Sequence, residues 1–178
     1  MTDEIIPTPH VEIVTPIIDP NLAMVRMVQG FLGVKESGGD NRGEWVDKFE
    51  KSIGGKAEGQ SWCLAFVQFC ANEVAKQLGC TNKLFATEHC LTVWNKTDPK
   101  QRLPLPQVGC LIIWQFGNTA EGHVGTVVEV LPNNQVKTIE GNTSDGKGIN
   151  RNGDGVYERV RSTKGSESFH VKGFLKVF

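Results

Sequence analysis

The sequence predicts an α+β fold, with helices first and an antiparallel sheet of about five to six strands packed against them. Two observations carry this. Up to about residue 95, apolar residues recur at helical spacing between clear start and stop signals. From residue 103 the period changes to short β-branched runs punctuated by Pro and Gly. The length, 178 residues, fits one domain large enough to bury a real core.

Residues 1–18 carry Pro7, Pro9 and Pro16 without a clean period and read as an arm or linker, which leaves 19–178 as a single domain. Asp19-Pro20 opens the first helix, with Asp as N-cap and Pro in the first turn. Leu22, Val25, Met27, Val28, Phe31 and Leu32 supply its apolar face. Lys35 to Gly43 is a polar loop; a short helix carrying Trp45, Val46 and Phe49 follows and stops at Gly54-Gly55.

The main helix is expected over Ser61 to Leu78, with Ser61 as its cap and Gly79 at the left-handed position after it. Thr87 to about Asn95 predicts a further short helix. Strands are expected at Cys110 to Phe116, Val124 to Leu131, Val136 to Glu140, Val156 to Arg161 and Val171 to Phe178. Pro132-Asn133-Asn134 turns one strand into the next, and a Gly/Asn/Asp-rich loop spans 141–155.

Composition excludes several classes. At 39% hydrophobic and 22% charged, the chain reads neither as disordered nor as a membrane protein. A formal net charge of −1 gives no global electrostatic case for nucleic acid. No stretch reaches the ~20 apolar residues of a membrane span, so no stable membrane insertion is expected. The acidic start, Met1-Thr2-Asp3-Glu4, is unlike a Sec signal. The expectation is synthesis in the cytoplasm and, for any target beyond it, release or delivery by lysis pores or a secretion device.

Five cysteines, Cys63, Cys70, Cys80, Cys90 and Cys110, make an odd count without a C-x-x-C pair, so reduced thiols are expected. A zinc site from Cys80, His89, Cys90 and Cys110 lacks the usual ligand spacing. The expectation is a metal-free monomer that needs no cofactor. Asn150 to Gly155 resembles a calcium loop only loosely, because the twelfth position would be Arg161 rather than Glu; a tight hairpin loop reads better.

The chemistry lies in three places. Cys63 sits near the start of the main helix, where the helix dipole favours the thiolate, although a buried structural cysteine is the rival reading. His123, in Gly122-His123-Val124-Gly125, precedes an alternating strand and has the titration range of a general base. Glu140 and Asn142, in Thr138-Ile139-Glu140-Gly141-Asn142, share a strand face and could orient an imidazole. Gln60, three residues before Cys63, is a candidate oxyanion donor beside the Cys63 backbone N–H. Trp62, Trp114 and the 36–43 loop, with Glu36 and Asn41, are candidates to line a substrate groove, with a place in the core as the stronger rival reading for the two aromatics.

Taken in order, Gln60…Trp62-Cys63-x-x-Phe66-Val67, then Gly122-His123-Val124-Gly125-x-Val127, then Ile139-Glu140-Gly141-Asn142-Thr143 resembles the CHAP family, the cysteine, histidine-dependent amidohydrolases/peptidases. The resemblance spans roughly Leu22 to Phe178. It implies a papain-like fold and hydrolysis of an amide bond in peptidoglycan, either N-acetylmuramoyl-L-alanine or a peptide linkage. It implies Cys63 as nucleophile, His123 as base, Glu140 as orienting acid and Asn142 as a supporting residue. The chain departs from the family where Trp62, rather than Gln, stands directly before Cys63. A phage lysin is the context expected; an injected effector or virion component is the alternative. The rival functions are a thiol amidohydrolase acting on a non-wall conjugate, and a non-catalytic wall-binding or phage-structural module.

Overall fold

The computed structural model describes residues 18–54, 59–146 and 153–178; most of the expected N-terminal arm and part of the loop containing Asn150 to Gly155 lie outside the described residues. Four helices come first: α1 (Pro20–Gln29), α2 (Glu44–Lys51), α3 (Cys63–Leu78) and α4 (Cys90–Lys96). Six strands follow: β1 (Arg102–Leu103), β2 (Leu111–Phe116), β3 (Gly122–Leu131), β4 (Gln135–Thr143), β5 (Gly155–Ser162) and β6 (Phe169–Leu175). They form one antiparallel sheet in the order β1-β6-β2-β3-β4-β5. Two-residue β1, at the sheet edge beside β6, is the element that the strand pattern did not single out.

Local signals account for the helix ends. Asp19 accepts a hydrogen bond from the Asn21 N–H at 2.9 Å, and Pro20 occupies the first turn of α1. Gly79 takes the left-handed conformation after α3, and its N–H reaches the Ala75 carbonyl. Asn133 and Asn134 both have positive φ between β3 and β4, as a tight hairpin turn requires. Ser61 does not cap α3. The helix begins at Cys63, and the buried Trp62 occupies the cap position without a side-chain cap bond.

Burial of Trp62 explains that start. Its ring stacks on Phe49 of α2 at 5.8 Å, and its indole Nε1–H donates to Glu36 Oε1 at 2.8 Å. Phe49 also meets Phe31, Phe66 and Phe69, so α2, α3 and the turn after α1 share one aromatic cluster. Removing a fully buried ring of this size costs about 3–5 kcal/mol. The indole thus fixes where the chain turns into α3, and with it the position of the next residue, Cys63.

The sheet is buried on both faces along β2. Leu111 and Ile113 join the core under the helices, while Ile112 and Trp114 join a second cluster with Cys110, Val127, Val136 and Phe174. Period-two alternation places these residues on opposite faces. α3 packs on β3 and β4, and α4 packs on β2 and β3. The N-termini of both helices therefore come to the same region of the sheet, beside the start of β3 and the end of β4.

Gly141 permits this close approach: a Cβ there would lie 2.7 Å from Trp62 and 2.9 Å from Phe66. Among the described residues, no helix is long and apolar enough to cross a membrane.

Candidate active site

Cys63 is the first residue of α3 and only 4% exposed. The first N–H groups of a helix have no intrahelical acceptor, and they bring partial positive charge to this point. The Leu64 N–H is among the groups that stabilise the Cys63 thiolate. His123 lies near the start of β3, 3% exposed, in the wall of the same cavity as Cys63. Its Nε2 meets Glu140 Oε2 at 3.0 Å, which leaves Nδ1 for the sulfur side. Trp114, its cross-strand partner on β2, stacks on the imidazole from behind at 5.8 Å.

Glu140 is fully buried on β4 and its carboxylate is saturated. Oε1 accepts from Thr138 Oγ1 at 2.6 Å and from Arg161 Nε at 2.8 Å. Oε2 accepts from Arg161 Nη2 at 2.6 Å and pairs with His123. Four partners fill the four acceptor directions of a carboxylate. Gly125 makes room for it: a Cβ there would stand 2.9 Å from Glu140 Cγ and 3.1 Å from Thr138 Cβ. The two glycines flanking His123 and Glu140 in sequence, Gly125 and Gly141, are thus spaces that the site and the α3 N-terminus occupy.

The titration behaviour follows from these contacts. Burial raises Glu140, but the hydrogen bonds and charges of Arg161 and His123 outweigh it and hold the carboxyl at about 2. Burial lowers His123, yet hydrogen bonds to Cys63 and Glu140 and their negative charges raise it to about 9. Cys63 is held well below the ordinary thiol range, first by a hydrogen bond from Cys90, then, against burial, by His123 and the Leu64 N–H. Cys90 moves the opposite way: donating to Cys63, burial and the Cys63 charge all push its thiol well up. The preferred state is a Cys63 thiolate, a His123 imidazolium, a Glu140 carboxylate and the Arg161 guanidinium. These four charges sum to zero in a nearly dry site.

A cavity of about 210 Å³ opens onto this group. Cys63, Cys90, His123 and Asn142 form its buried wall; Gln60, Ser61, His89 and Glu121 contribute its exposed side. It is smaller than the ~300–1,000 Å³ of drug-sized pockets.

The structure brings Cys63, His123 and Glu140 together and places Gln60 at the cavity mouth. Asn142 also lines the cavity, in a left-handed conformation at φ 52°. Its amide donates to Asn41 at 2.8 Å and to Glu36 at 3.4 Å, so the 36–43 loop meets the site through Asn142. The expectation that Trp62 and Trp114 line the groove is corrected. Both are buried, at 0% and 1% exposure, because one anchors the aromatic cluster and the other fills the second core.

Sequence reasoning missed two members, Arg161 and Cys90. Arg161 sits on β5 beside exposed Val160, a reversal of the usual inside–outside pattern that hides it among the charges of Glu158-Arg159-Val160-Arg161. Cys90 begins α4 as Cys63 begins α3, and this shared placement was the available signal. The zinc alternative finds no support in geometry: among the described residues, no group of three His, Cys, Asp or Glu could hold a metal ion. Of the calcium alternative, Asp154 is described, and it binds Tyr157 and Lys35; Asn150 to Asn152 lie outside the described residues.

Comparison with known families then decides the assignment: residues 55–142 match the family model described as the CHAP domain, and they include Cys63, His123, Glu140 and Asn142. The chain is a member of the CHAP family. CHAP domains are usually cysteine-dependent amidases or peptidases that act on peptidoglycan, and four helices on a six-stranded antiparallel sheet suit the papain-like fold of that family. In the searches of curated proteins and of solved structures, nothing matches the chain significantly. Arg161 lies beyond the matched segment of the CHAP domain, although its guanidinium holds Glu140 inside it.

Proposed function

We propose that this CHAP domain hydrolyses an amide bond of peptidoglycan, either N-acetylmuramoyl-L-alanine or a peptide bond of the stem or cross-link, by a Cys63-His123-Glu140 thiol mechanism. The observation that carries the reading is the buried Cys63–His123–Glu140 chain opening onto a small cavity.

The Cys63 thiolate attacks the amide carbonyl carbon. The developing oxyanion is met by the Cys63 backbone N–H at the α3 N-terminus, with the Gln60 side chain as second donor. His123, already protonated, gives its proton to the leaving amine, and a thioester to Cys63 remains. Water enters, His123 takes its proton, and attack on the thioester releases the carboxylic acid and restores the thiolate. Glu140 holds the imidazole in one orientation throughout, and Arg161 keeps Glu140 ionised. No step calls on a metal or an organic cofactor.

The biological setting proposed is a phage lysin. Purified sacculi incubated with the protein test the activity by mass spectrometry of what is released. New N-terminal L-Ala on freed stem peptides means the amidase bond, and new peptide ends mean an endopeptidase. Binding with no released fragment contradicts the proposal and leaves a wall-binding module.

A further inference from the structure

The Cys63 sulfur has a close neighbour that amide hydrolysis does not require. Cys90 Sγ lies 3.6 Å from Cys63 Sγ. The two residues come from different elements, the first turn of α3 and the first turn of α4. Both are nearly removed from solvent, at 4% and 5% exposure, yet both line the cavity through which a small solute reaches them. The separation is sulfur–sulfur contact and exceeds the ~2.05 Å of a disulfide by only about 1.5 Å. Rotation of either side chain with a small shift of its helix end covers that distance. Cys90 is the freer of the two, since α4 has seven residues and follows a stretch, 80–89, without regular secondary structure.

The pair is also chemically unequal. Cys63 has the helix terminus, the imidazole and the Cys90 S–H, all of which favour the thiolate; Cys90 carries the proton. Reactivity toward peroxides follows thiolate character and access, and a sensing cysteine is commonly set beside a resolving one. Burial pushes the thiols of Cys70 and Cys110 upward, so the same chemistry is disfavoured there.

We propose that Cys63 and Cys90 form a redox modification site, at which hydrogen peroxide or an organic hydroperoxide joins them in a reversible disulfide. The Cys63 thiolate attacks the peroxide O–O bond, forming Cys63–S–OH and expelling hydroxide, which takes the proton of His123. The Cys90 thiol, as it loses its proton, attacks the Cys63 sulfur. The S–OH bond breaks, and the departing hydroxide leaves with that proton as water. Two thiols are oxidised by two electrons, and one hydrogen peroxide is reduced to two waters. The disulfide removes the nucleophile proposed above, so hydrolysis stops until a dithiol reverses the bond.

The test treats the full chain with a few equivalents of hydrogen peroxide and reads chemistry at the sulfurs, which does not depend on any wall substrate. The expected product has lost two hydrogens (about 2 Da), and its non-reducing peptide map joins the segments holding Cys63 and Cys90. Labelling of Cys63 by iodoacetamide falls in step and returns with dithiothreitol. In Cys90→Ser, whose side chain differs by one atom, the same treatment leaves a dimedone-trappable sulfenic acid on Cys63. That acid proceeds to a sulfinic acid which dithiothreitol does not reverse. The proposal is overturned if the wild-type chain accumulates Cys63 sulfenic or sulfinic acid without the 63–90 link. It is equally overturned if another cysteine supplies the partner, or if Cys63 is not oxidised at all. A chain that forms the link on oxidation, yet releases nothing from sacculi when fully reduced, would sink the hydrolase reading and leave this one standing.

Discussion

Replacing Arg161 by Met tests how the site keeps a carboxylate buried. The guanidinium is 8% exposed and the Glu140 carboxylate 0%, joined by bonds of 2.6 and 2.8 Å. Arg161→Met leaves Glu140 with Thr138 and His123 alone. Removing one partner of such a buried pair costs about 3–5 kcal/mol, because the other charge stays desolvated. The titration of Glu140 gives a similar figure: a fall from 4.5 to about 2 corresponds to roughly 3 kcal/mol in favour of the ionised folded site. Losses of this size lower Tm by roughly 6–20 °C for a chain of this length. Glu140→Gln carries a similar cost, since it strands the Arg161 charge, so its effect on turnover must be read at a temperature where the variant is folded. The double variant, Glu140→Gln with Arg161→Met, removes both charges and recovers part of the stability. Urea unfolding of the four proteins closes the cycle, with a coupling of about 2 kcal/mol or more expected. Arg161→Met within about 0.5 kcal/mol of wild type, or a double variant whose loss is the sum of the singles, would refute the reasoning.

Three further predictions follow from the same geometry. Iodoacetamide should alkylate Cys63 at a rate nearly independent of pH well below the ~8.5 of an ordinary thiol, and His123→Ala should shift that profile upward; a wild-type profile centred at ~8.5 would mean that no thiolate–imidazolium pair exists. Stability should also depend on pH. The Glu140 contribution is complete above about 4.5 and lost as pH falls toward 2. The His123 contribution is lost as pH rises from about 6.5 through 9, but the lowered Cys63 thiol contributes with the opposite sign there, because the folded pair and the unfolded chain each hold one proton. Urea midpoints should therefore fall as pH drops below about 4.5 and change little between about 6.5 and 9; a flat acid limb argues against the Glu140 shift, and a steep fall between 6.5 and 9 against the ion pair. Gly125→Ala puts a methyl group 2.9 Å from Glu140 Cγ, so it should cost about 1–3 kcal/mol by overpacking and lower turnover by displacing Glu140; unchanged stability and turnover would show that the carboxylate does not need that space.

What was legible in the sequence was mostly local. Helix caps, the glycine after α3 and the change of period near residue 103 announce the order of elements, because each depends on neighbours in the chain. Cys63 and His123 stood out because each lies beside an element boundary with a residue type suited to the chemistry, and Glu140 because it is a carboxylate on the strand that follows His123. Burial of the aromatics was not legible: a Trp next to a cysteine looks alike whether it faces substrate or core, and only Phe49 and Glu36 decide for Trp62. Arg161 was hidden for a related reason. Its partner belongs to the neighbouring strand, and the register of β4 on β5 sets Arg161 opposite Val136, from where only its long side chain reaches Glu140. Cys90 needed the packing of α4 on β2 and β3 before its sulfur could be placed against that of Cys63. The left-handed turn at Asn142 likewise broke the simple alternation from which its direction was read.

Both candidate bonds, N-acetylmuramoyl-L-alanine and peptide, yield one amino group for each bond cut. Counting the free amino groups released from purified sacculi, by wild-type protein and by Cys63→Ala side by side, is therefore the most direct measurement. Amino groups should rise with time for the wild type and stay at the no-enzyme level for the folded variant. Release by Cys63→Ala at the wild-type rate, or none from the reduced wild-type protein, would contradict the account.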